Sequence, residues 1–189
     1  MRFLEFPGPE YEWQKVPLGA VVALNVFFAF TLLMYWRETY YLDACHLVTH
    51  EWGHEIFGIL LPGQFMRVAG GTLFQLMVPL MLAYGFAYRG QIPGLAFSIF
   101  MFFNSMIGVG IYMADARSHA LQLVAPGATG DQDIGHDWDY MLRAMTLYQY
   151  DMTLGRITRG IGWVGMAAVM LWLVWMWRTN EERGATSEE

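Results

Sequence analysis

Cysteine is all but missing. Cys45 stands alone among 189 residues, so the chain can form no internal disulfide and no thiolate cluster for a metal. Any metal it binds must take nitrogen and oxygen ligands. Charge is scarce as well: 15% of the residues are charged against 56% hydrophobic and 16% aromatic, far more apolar than a soluble domain of this size needs. The charge that is there sums to −6, with acids gathered in Asp131–Asp139 and Glu181–Glu189, and this balance argues against nucleic acid as a partner. No secretory signal is visible either, because the first apolar run follows a polar stretch, is too long, and has no small-residue cleavage site behind it. Neither an internal repeat nor a second soluble domain can be read.

What the chain does have is a series of apolar runs, each near the length a hydrocarbon core demands. The expected spans are about 16–36, 42–61, 68–88, 92–115 and 160–177. The expected fold is therefore an all-α integral membrane protein with about five transmembrane helices plus a short amphipathic interfacial helix. Residues 1–15 read as an interfacial segment in which Pro7, Gly8 and Pro9 block a long helix and Tyr11, Trp13 and Lys15 suit an anchoring belt. Residues 16–177 read as one transmembrane domain, with a polar loop and the amphipathic helix over 116–159. That helix starts at Asp137 and sets Trp138, Met141, Leu142 and Met145 at helical spacing. Residues 178–189 read as a charged tail. With the amino terminus cytoplasmic, in a bacterial inner membrane, that side carries Arg2, Lys15, Arg67, Arg117, Arg143, Arg156 and Arg159 against Arg37, Arg89, Arg178 and Arg183 opposite, which favours this orientation.

The second expected span differs from the rest. It holds Thr49-His50-Glu51-Trp52-Gly53-His54-Glu55, an H-E-x-x-H pattern, together with Asp43 and His46, and so is too polar to face lipid. On a helix His50 and His54 lie one turn apart on one face, so both imidazoles can reach one metal ion. Glu51 sits roughly 60–100° round the helix, close enough to hold water bound to that metal. Catalytic zinc wants three protein ligands and one open position. Asp115 is the leading candidate for the third ligand, sharing a face with His119 if its helix continues, and His136 is the alternative because a loop can fold back over a site. His46 reads as a further ligand, a partner of a ligand, or a polar contact between helices. The run Ala69-Gly70-Gly71-Thr72 reads as a turn whose exposed backbone can pair with an extended peptide, or as a tight helix connection. The small residues Ser105, Gly108 and Gly110 would let another helix come close.

On these residues the chain resembles the membrane-embedded zinc metalloproteases of the site-2 protease type, the M50-like peptidases. Their shared feature is H-E-x-x-H on a transmembrane helix with an Asp from a later one, and Thr49–Glu55 with Asp115 follows that order. Gly70-Gly71-Thr72-x-x-Gln75 is similar to the glycine-containing segment such proteins carry after the motif helix. The resemblance spans about Leu42–Arg117, and only the His-Glu pattern is specific. It departs at Asp115, which is followed by Ala116 where the family's motif has Gly, commonly with Asn and Pro before the Asp.

The function expected from this is hydrolysis of peptide bonds near or within the membrane. His50, His54 and Asp115 would hold zinc, Glu51 would act as general base and then general acid, and Gln75 or Asn104 would steady the oxyanion. The lipid bilayer and either a membrane-protein substrate or partner subunits are the expected partners. The competing reading is a non-catalytic subunit of a larger respiratory or photosynthetic membrane complex that keeps a protease-like scaffold. A carboxylate-bridged di-iron site would need a second Glu-x-x-His, which the sequence lacks.

Overall fold

The computed structural model describes residues 13–121 and 135–186, from residue 180 onward as backbone only. Most of the expected interfacial segment, the loop Gly127–Asp133 and the last three residues of the tail lie outside the described residues. Among the described residues there are six α-helices: α1 (Leu18–Trp36), α2 (Asp43–Leu60), α3 (Gln64–Tyr88), α4 (Ile92–Ala114), α5 (Asp137–Ala144) and α6 (Asp151–Thr186), the last preceded by a single 3₁₀ turn at Tyr148–Tyr150. Among the described residues there is no strand.

Among the described residues four stretches are long and apolar enough to cross a membrane: Leu18–Trp36, Gln64–Tyr88, Ile92–Ala114 and Tyr148–Thr179. This pattern is that of a multi-pass membrane protein. The expected count of about five is not reached, because α2 is not among them. Its 18 residues carry Asp43, Glu51 and Glu55, and three carboxylates in a segment of that length outweigh its apolar residues. The last helix is longer than expected at both ends. It starts at Asp151 and carries on through Arg178 to Thr186, since extending an existing helix avoids the cost of nucleating one.

The chain divides into two compact units, and α3, α4 and α6 contribute to both. Unit 1 comprises Met1–Thr39, Pro79–Phe102 and Val164–Glu189; unit 2 comprises Tyr40–Val78 and Phe103–Trp163. Unit 1 is built on rings. Phe28 and Phe100, both fully buried, stack with centroids 3.9 Å apart, and Phe27 leans on Phe97 at 6.0 Å. The opposite face of α1 leaves Leu18, Val22, Val26, Phe30 and Leu33 exposed at three- and four-residue spacing, a continuous apolar stripe suited to lipid. Gln14 ties the incoming chain to the α3–α4 turn, donating its backbone N–H to the Gly90 carbonyl and its side-chain amide to that of Arg89.

Unit 2 is built on close backbone approach. A side chain on Gly53 would begin 2.3 Å from the Gly70 carbonyl oxygen, so α2 and α3 meet where neither has a Cβ. Gly110 and Gly155 do the same for α4 and α6. Gly70 and Gly71 thus lie inside α3, not in a turn as expected. Their backbone groups belong to the helix and are not free to pair with a peptide. After α2, Leu61 is extended and Gly63 takes a φ of 115°, which ends the helix and turns the chain into α3.

Candidate metal centre

The spacing of α2 does what the motif requires. His50 and His54 project from one face with their rings edge to face, centroids 4.7 Å apart. Each ring is then fixed by its Nδ1. His50 Nδ1 lies 3.1 Å from Gln75 Oε1 and His54 Nδ1 lies 3.0 Å from the Arg67 carbonyl oxygen. Both oxygens can only accept, so both Nδ1 atoms carry the hydrogen. Gln75 is itself held, its amide donating to Ser105 Oγ at 2.9 Å.

Each Nε2 is left to face inward, and both point at one atom. Asp137 Oδ2 is 2.8 Å from His50 Nε2 and 3.1 Å from His54 Nε2. With hydrogen on Nδ1, a neutral imidazole presents only a lone pair at Nε2, and a carboxylate oxygen presents only lone pairs in return. Three such atoms come this close only around positive charge, supplied by protons on both rings or by a metal ion. His50, His54 and Asp137 are indeed a group that can hold a metal ion, with ligand atoms all within 4.8 Å of one another. Burial alone would raise the Asp137 carboxyl, but the hydrogen bonds and charge of the two imidazoles hold it below the usual range.

Gly71 completes the cradle. A Cβ built there would lie 2.6 Å from His54 Nε2 and 2.7 Å from His50 Nε2, so only glycine leaves this side of the pair open. Around the group lies a cavity of about 1350 Å³ in unit 2, lined along α2 from Asp43 to Gly58. Glu51 is half-buried on its wall, and its charge is felt at His54 and at Tyr112.

The structure brings Asp137, and not Asp115, to the histidine pair. Asp115 is buried, but its carboxylate closes the chain reversal after α4, accepting from the Ser118 hydroxyl and from the backbone N–H groups of Ala120 at 2.8 Å and Leu121 at 3.1 Å. The helix stops at Ala114 and His119 takes a φ of 48°, so Asp115 and His119 do not share a helical face. The alternative ligand, His136, caps α5 by accepting the Asp139 N–H at its Nδ1. Its Nε2 lies 3.5 Å from Asp115 Oδ2. Burial and then the charge of His119 push its imidazole below the usual value, against the pull of Asp115. His46 bonds Asn104 Oδ1 at 2.8 Å and so links α2 to α4. Gln75 and Asn104, expected near an oxyanion, are thus both engaged elsewhere. Arg117 pairs with the buried Asp151 at 2.7 Å.

Sequence reasoning missed Asp137 as a ligand, although it sits in the crowded run Gly135-His136-Asp137-Trp138-Asp139. Its placement follows from the amphipathic helix that it begins. Met141 and Leu142 are buried, and Leu142 and Trp138 join the cluster of Val109 and Met113 on α4 and Ala116 just beyond it. The Asp137 backbone N–H donates to the Tyr112 hydroxyl at 3.1 Å, pinning the start of α5 beside the histidines. No family model matches this chain, and neither does any curated protein or solved structure.

Proposed function

We propose that this protein is a zinc-dependent peptidase that hydrolyses peptide bonds near or within the membrane, with His50, His54 and Asp137 as the metal ligands. One observation carries the reading: two imidazoles, each tied back through Nδ1, converge through Nε2 on a single carboxylate oxygen. Imidazole and carboxylate donors suit zinc, and three protein groups leave the fourth position that catalysis needs. Ligands set tetrahedrally at about 2.0–2.1 Å from zinc stand about 3.3 Å apart. The 2.8 and 3.1 Å separations are within about half an ångström of that, so small side-chain rotations admit the ion.

A zinc ion here supplies Lewis-acid polarisation of the peptide carbonyl and acidifies water. The remaining work falls to the chain. Glu51 takes the proton of the attacking water and returns it to the leaving nitrogen, so that water adds across the C–N bond to give a carboxyl group and an amine. The polar face of α2 lines the cavity, which is how a helix with three carboxylates is accommodated among membrane-spanning neighbours. Gln75 and the Arg67 carbonyl hold the ligand rings in one tautomer and orientation.

The test is to measure bound zinc and cleavage of a membrane-inserted peptide in the wild type and in Glu51→Gln. Both should bind zinc, and the variant should cleave about 10²–10⁴-fold more slowly. Equal cleavage in the two would end the proteolysis reading and leave the non-catalytic subunit of a larger membrane complex.

A further inference from the structure

We infer that Tyr112 is a catalytic residue of this centre, its phenolic O–H donating to the oxyanion that develops on the carbonyl under attack; this deepens the peptidase reading and rests on it. Two groups expected to serve there are tied into other bonds. The Gln75 amide spans His50 and Ser105, and Asn104 accepts from His46. Tyr112 is differently placed. It lines the cavity from α4, with its ring centroid 6.1 Å from that of His50 and packed at 4.3 Å against His136. The ring is therefore held from two sides.

The hydroxyl is held as well. It accepts the backbone N–H of Asp137 at 3.1 Å, which sets the phenolic oxygen next to the residue whose carboxylate meets both imidazoles. That contact uses a lone pair and not the proton. Among the described residues the Tyr112 O–H gives no hydrogen bond, so its proton is left unspent on a residue that lines the cavity. Glu51 and Asp137 line the same cavity, so the proton-transfer group, a ligand and this hydroxyl share one chamber. A fixed, partly desolvated donor beside the reacting carbonyl is the arrangement that stabilises a transition state more than a ground state.

Tyr112→Phe keeps the ring and removes only the hydroxyl. The experiment loads the full-length wild type and variant with cobalt in detergent, follows the metal's visible spectrum, and titrates a peptide phosphonate and a simple alkyl thiol. The phosphonate presents oxyanion oxygens, whereas the thiol binds the metal without them. The inference expects phosphonate affinity to fall about 100-fold in the variant, the effect of losing one oxyanion donor, while thiol affinity is unchanged. Equal phosphonate affinity overturns it. Equal weakening of both ligands also overturns it, because Tyr112 would then only position Asp137. If the wild type takes up no cobalt, the metal reading fails and this inference falls with it. If cobalt binds and the phosphonate pattern holds but no peptide is cleaved, Tyr112 stands as an oxyanion donor and the choice of peptide as substrate is what fails.

Discussion

The two units handle polarity in opposite ways. Eleven polar or charged side chains are buried among the described residues, and nine of them, from His46 to Asp151, belong to unit 2. The two in unit 1, Thr31 and Ser98, each return their hydroxyl to a carbonyl of their own helix. Unit 1 packs through stacked rings, and unit 2 adds bonds from side chain to side chain to its close helix contacts. In a chain this apolar, polar groups are costly to bury unless they meet one another. Their concentration in one half therefore marks where a polar site can be built, and their near absence in the other marks where packing suffices.

The sharpest way to break this contrast is Gly71→Ala. One added methyl group would stand between the imidazoles at 2.6 and 2.7 Å, and zinc content, measured by elemental analysis of the purified protein, should drop to background while helical content stays. Next in size is the converse change in the other unit. Phe28→Ala removes a fully buried stacked ring and should cost about 3–5 kcal/mol in thermal or denaturant unfolding, yet leave zinc per folded molecule unaltered. Loss of zinc from this variant would show that packing and chemistry are not separable in the way the burial pattern indicates. The smallest effect belongs to Gln75→Ala, which frees His50 Nδ1 without touching a ligand atom. Zinc affinity, read by competition with a chelator, should weaken about 10–100-fold, or about 1.4–2.8 kcal/mol.

The half of the centre that sequence made legible is the half that is local. His50, Glu51 and His54 need only the helical repeat to come together, and α2 supplies it. Asp137 is 87 positions from His50, and nothing in local spacing reveals such a distance. Asp115 looked right by its order in the chain, but its carboxylate is consumed by three donors where α4 ends. His136 and Asp137 were both visible in the crowded run before α5. Which of them reaches the imidazoles is decided by the packing of Leu142 and Trp138 on α4, a tertiary fact. The paired glycines misled for a related reason. Low helix propensity reads as a break, whereas here the absence of side chains is rewarded by backbone contact with Gly53. The all-helical, membrane-type architecture was legible because runs of apolar residues carry it directly. The polarity of α2 was equally plain, and it is what removes that helix from the set able to face lipid.

Because its ligands come from α2 and α5, an ion at this centre would be a clasp closing a long stretch of polypeptide. Whatever free energy it gains on binding is added to the folded state alone, since residues so distant rarely meet in the unfolded chain. The protein would then owe part of its cohesion to that ion, and stripping the metal would loosen the start of α5 and with it one wall of the cavity.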